Sequence, residues 1–127
     1  GLTEADFENH VPTHETLMHT SVIVASPLTI NNAAAGRSSG MFNETIVQRY
    51  SEEFATYLPK APYNLSEDAI EFFTIHGIVD KEHSAMAAEA VAKIAMTDRD
   101  QELVWYTVQL QAKLKKAKFE GMYDAYA

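Results

Sequence analysis

A chain of 127 residues is long enough for one domain and no more. Its 18 acidic residues against 10 basic ones give a formal net charge of −8, which repels phosphate backbones and excludes nucleic acid as a partner. The absence of cysteine excludes disulfides, zinc-thiolate sites, iron–sulfur clusters and thiol nucleophiles. Hydrophobic residues make up 46% of the chain, enough for a real core, yet no run of 18 or more apolar residues is present. No signal peptide is apparent either, so the expected setting is cytoplasmic, without a membrane partner.

Residues 3–9 open with Thr3 as a cap and acids behind it, suited to a helix N-terminus. Pro12 separates this short element from a second helix over 13–26, with Leu17, Val22, Ile23 and Val24 as its apolar side. Residues 27–40 are ambiguous. Asn31-Asn32 and the run from Gly36 to Gly40 have loop composition, whereas Ala33-Ala34-Ala35 favours helix; the segment is expected to be a helix with a weak or broken middle. Ile46, Tyr50, Phe54 and Tyr57 recur at helical spacing over 41–58, and Pro59 and Pro62 end that helix. Ser66-Glu67-Asp68 caps the strongest helix, 66–96. Thr97 or Asp98 caps the last, 101–125, lined by Leu103, Tyr106, Leu110, Leu114 and Ala117. Four or five helices with short links make an all-α bundle, read as a single all-helical unit over residues 1–127.

Chemistry concentrates in the 66–96 helix. His76, Asp80 and His83 are spaced i, i+4, i+7. At 3.6 residues per turn, Asp80 lies about 40° from His76 and His83 about 20° the other way, so the three share one stripe. Continued in both directions, that stripe meets Ala69, Phe72 and Phe73, then Ala87 and Ala90. Ionisable groups in an apolar seam are costly unless satisfied. A divalent metal is one solution: two imidazoles and a carboxylate suit non-haem iron, with manganese and zinc as competitors. A satisfied polar core, in which Asp80 hydrogen-bonds the histidines, is the other. Gly77 within this helix points to a close helix contact or to room for a ligand.

The remaining candidates are weaker. Glu15 and His19 are four apart and able to ligate a metal, although an exposed pair is the simpler reading. His10 and His14 are separated by Pro12, which leaves their geometry undefined. The lysines at 113, 115, 116 and 118 suit a helix C-terminus. Trp105 and the tyrosines at 106, 123 and 126 read as packing residues. No phosphate-binding glycine loop or serine elbow is present.

The run Glu71-Phe72-Phe73-Thr74-Ile75-His76-Gly77-Ile78-Val79-Asp80-Lys81-Glu82-His83-Ser84 resembles the signature helix of the haem-oxygenase-like superfamily, in its branch of iron-containing redox enzymes or diiron oxidases. The PQQ-synthesis protein C and TenA groups are wider relatives. Residues 1–6 are similar to the lead-in to that family's middle helices, Glu44-Thr45-Ile46-Val47 to the segment carrying a ligand glutamate, and Phe119-Glu120-Gly121-Met122-Tyr123 to its closing motif. The resemblance is specific at the His-x-x-x-Asp-x-x-His helix and loose over 27–40. It implies that Glu44, His76, Asp80 and His83 are metal ligands. Family members are about twice as long and supply a further Glu and His from an earlier helix, so the chain resembles the C-terminal half of the domain. A partial bundle of this kind is expected to be completed by dimerisation, as a homodimer, or by a partner chain.

The function this implies is that of a non-haem iron oxidoreductase, mononuclear or dinuclear, which activates O2 against a small-molecule substrate. Two alternatives stand beside it. One is a metal-free cofactor-metabolism enzyme of TenA or PQQ-synthesis-C type, with His76 and His83 as acid–base groups. The other is a non-catalytic helical subunit that only assembles.

Overall fold

The computed structural model describes residues 3–126 and contains, among them, five helices and no strand: α1 (Glu4–Glu8), α2 (His14–Ile30), α3 (Ala33–Tyr57), α4 (Glu67–Ile94) and α5 (Asp98–Tyr126). The all-α expectation holds. Each long helix starts on a side-chain cap. Thr13 accepts from the Thr16 amide at 3.2 Å, Asn32 from Ala35 at 2.9 Å, Ser66 from Ala69 at 3.4 Å, and Thr97 from Asp100 at 3.1 Å.

The segment 27–40 departs from its loop-like composition. α2 continues through Pro27 to Ile30, and the break is confined to Asn31 and Asn32. Asn31 takes the left-handed conformation (φ 49°, ψ 45°), which asparagine tolerates better than most residues. α3 then runs unbroken across Gly36 to Gly40. Glycine and serine are weak helix formers, but here the small side chains are what packing needs. Ala34, Ala35, Ser38 and Ser39 are all buried, and larger groups would hold the neighbouring helices away. Asn32 also donates to Asp100 Oδ1 at 2.8 Å, tying the α2–α3 corner to the start of α5. Hydrogen bonds from Thr97 and then from Asn32 hold the Asp100 carboxyl below the usual carboxylate range.

α3 is the central helix. It packs on α2, α4 and α5, and α2 also packs on α5. α4 lies on α3 and, among the described residues, on no other helix to a comparable extent. The register follows from a few contacts. Phe54 meets Phe73 edge-on at 5.1 Å, and a Cβ on Gly77 would sit 3.5 Å from the Glu52 amide, so α3 and α4 are antiparallel. Lys81 bridges to Glu52 at 2.5 Å at the rim of this seam. Tyr50 meets Phe119 at 6.1 Å, and with the Asn32–Asp100 bond this sets α3 and α5 parallel. Gly77 therefore sits in a helix contact, with Glu52 at ordinary van der Waals distance from where a Cβ would stand.

The faces of the helices differ from the sequence pattern in three places. On α2 the buried residues are His19 and Ser26, while Leu17 and Val24 are exposed. On α5 the buried residues are Thr107, Gln111 and Leu114, while Trp105, Tyr106, Tyr123 and Tyr126 are exposed rather than packed. α5 also runs on well past the lysine cluster, which is not terminal. Lys115 is half-buried, and burial followed by the charge of Lys118 lowers its ammonium pKa.

Candidate metal centre

α4 turns its seam of Ile70, Gly77, Asp80, Ala87 and Val91 into α3. These positions repeat at intervals that keep them on one stripe. Asp80 lies on this stripe and is 5% exposed. His76 and His83 lie to one side of it, His76 half-buried and His83 exposed. The expectation that all three occupy the middle of the seam is thereby corrected. The stripe that α3 covers is centred on Gly77 and Asp80, which leaves the histidines towards its edge.

Each polar group has a definite setting. Asp80 Oδ1 faces His83 Nδ1 across 3.6 Å, beyond hydrogen-bonding reach. Across the seam, burial first and the Asp80 charge second push the Tyr50 phenol above its ordinary value. His76 Nδ1 is 2.7 Å from the Phe72 carbonyl oxygen, and its ring stacks on the Phe72 ring at 4.0 Å. A carbonyl can only accept, so Nδ1 carries a proton, and the lone pair of the uncharged ring is then at Nε2. This is the way in which a metal-ligating histidine is oriented by its other nitrogen.

Glu44 is on α3. The register that sets Phe54 against Phe73 and Glu52 against Gly77 carries Glu44 to the level of residues 83–85, next to the His83 turn. Its Oε2 is buried and has no hydrogen-bond partner. Asp80 and His83 are thus adjacent, Glu44 is level with them on the facing helix, and His76 is one turn below Asp80. The four do not close into a coordination sphere: among the described residues, no three His, Cys, Asp or Glu side chains are gathered as a metal would require. The donors nevertheless fit a divalent cation by chemistry. A buried carboxylate oxygen without a donor and an imidazole with a directed lone pair are groups that a cation would satisfy.

One α3 residue beside this site is not marked by the sequence: spacing alone reads Tyr50 as one of an apolar stripe, and it meets the Asp80 charge only through the α3–α4 register, a tertiary fact with no local signal.

The Glu15–His19 pair is not an exposed pair. His19 is 3% exposed, and its Nε2 is buried without a partner. Glu15 lies over Gly121 of α5, away from α4. Burial, then the charges of Lys115 and Lys118, lower the His19 pKa. The folded chain therefore favours the neutral ring, and on acidification the unfolded chain takes up the proton first. The contribution of His19 to stability is complete above the ordinary histidine value of about 6.5 and is lost as the pH falls below it. The melting temperature is expected to drop between about pH 7.5 and about pH 5.5, and to drop less in His19→Gln. An equal drop in the variant would assign the effect to other groups.

No helix among the described residues is long and apolar enough to cross a membrane. No curated protein and no solved structure matches the chain. The family model described as iron-containing redox enzyme matches residues 1–116. With its five helices and its motif-bearing α4, the chain belongs to this family of iron-containing redox enzymes, of the haem-oxygenase-like all-α type.

Proposed function

We propose that the chain is a non-haem iron oxidase or oxygenase scaffold, in which Glu44, His76, Asp80 and His83 hold iron and a small-molecule substrate is oxidised at the expense of O2. The observation that carries this reading is the buried Asp80, with His83 Nδ1 3.6 Å from its Oδ1 and His76 one turn before it, facing a helix on which the Glu44 Oε2 is buried without a hydrogen-bond partner. A buried carboxylate oxygen without a donor, as at Glu44, is a group that a cation would satisfy. Bound iron would supply the redox chemistry.

The chain's own residues have separable roles in this reading. The Phe72 carbonyl fixes His76 with Nε2 outward. α3 covers Asp80 and keeps water from one side of it. Glu44 adds a second carboxylate from the facing helix. The exposed position of His83 leaves it free to swing about its side-chain bonds. Two carboxylates and two neutral imidazoles also offset the charge of a ferrous ion.

Oxygen uptake tests this reading. Protein loaded with ferrous iron without air is expected to consume O2 on exposure faster than the same iron in buffer, and Asp80→Ala is expected to abolish the difference. Equal uptake by the wild type and by Asp80→Ala would remove the assignment.

A further inference from the structure

We infer that the groove between α3 and α5 is a binding site for a small organic anion with a flat apolar body, the chemistry of an aromatic carboxylate. In reading that anion as a substrate the inference rests on the function proposed above; the binding itself needs no iron.

Two helix faces make the groove. Its apolar walls are Phe42, Ile46 and Tyr50 on α3 and Phe119 on α5, and they line a space of about 390 Å³. The α3 members recur every four residues, so they share one face. The Tyr50 and Phe119 rings meet edge-on at 6.1 Å. Aromatic walls with a few charged groups, around a volume of roughly 300–1,000 Å³, are the usual make-up of a small-molecule site. Tyr50 also feels the Asp80 charge, so the groove borders the candidate metal centre through this residue.

The charges select the sign of the ligand. Arg49, Lys115 and Lys116 stand at the groove against one acid, Glu53. Lys116 is taken up by Glu120, whereas no carboxylate lies within ion-pair reach of Arg49 or Lys115 among the described residues. Two uncompensated cations at one apolar groove run against the net charge of −8. Lys115 is half-buried, and burial followed by the Lys118 charge disfavours its ammonium form. A bound anion offsets both effects, and arginine and lysine give carboxylates their strongest hydrogen bonds.

Isothermal titration of the metal-free full chain with cinnamate, and with the neutral cinnamamide, tests the inference. Cinnamate is expected to bind at least about 10-fold more tightly than the amide, the worth of one hydrogen bond to a charged group. Lys115→Gln and Arg49→Gln should each weaken cinnamate about 10-fold and leave cinnamamide within about 2-fold. Phe119→Ala should weaken both probes. Arg49 is exposed, so its variant supplies a folded protein whatever becomes of Lys115→Gln. Equal binding of the two probes would overturn the inference. So would wild-type affinity for cinnamate in both charge variants, or no binding of cinnamate at millimolar concentration. Each of these failures leaves the iron assignment standing, and a wild type that binds cinnamate but takes up no iron keeps the groove and loses the oxidase reading.

Discussion

His76→Ala is expected to lose iron binding while keeping its fold. The side chain is half-buried, and its one hydrogen bond returns to its own helix at Phe72. Removing it leaves no orphaned group behind, so the stability cost should stay near the ~0.5–1.5 kcal/mol of a single modest interaction. The effect on the metal should be far larger. Loss of an outer-shell partner costs ~10–100-fold in affinity, and loss of a direct ligand should exceed that range. Circular dichroism gives the fold and elemental analysis the iron. Stoichiometric iron retained in a folded His76→Ala protein would take His76 out of the site.

Gly77→Leu should lose stability where Gly77→Ala gains it. A Cβ at this position would meet Glu52 Cγ at 3.4 Å and the Glu52 amide at 3.5 Å, ordinary contact distances for one methyl and no more. Gly77→Ala therefore fits, and helix propensity should give it up to ~1 kcal/mol over glycine. Leucine adds three carbons against the α3 backbone and must push α3 and α4 apart, at a cost of ~1–3 kcal/mol. The same displacement would open the seam over Asp80 and weaken iron retention. Urea unfolding midpoints of the two variants give the comparison. A leucine variant as stable as the alanine variant would show that α3 and α4 are not in close contact at Gly77.

Much of the scaffold is legible because its signals are local. Ser66 with Glu67 and Asp68 announces α4, and Thr97 announces α5, because capping is a property of a few adjacent residues. α3 before Met41 is not legible in the same way. Gly36 to Gly40 resembles a loop until α2 and α5 are present to reward small side chains, and that reward is tertiary. The site is legible in the same uneven manner. Spacing puts His76, Asp80 and His83 on one side of one helix, and so it does in three dimensions. Which of them is buried depends on where α3 lies, a tertiary fact that spacing along α4 does not carry. Position along α3 alone gives Glu44 no distinction. Its buried, unpartnered Oε2 appears only when α4 lies alongside. His19 shows the limit from the opposite direction: a polar residue with an acidic neighbour four positions away reads as surface, yet α5 covers it.

The central claim is that the α4 histidines and Asp80, with Glu44 from α3, form an iron site. Elemental analysis of the untagged wild-type chain, loaded with ferrous iron without air and then desalted, tests it most directly. About one or two irons per chain are expected, the occupancy of a mononuclear or dinuclear carboxylate–histidine site. Iron at the level of the buffer alone would contradict it, and Asp80 would then be a buried carboxylate held for some purpose other than a metal.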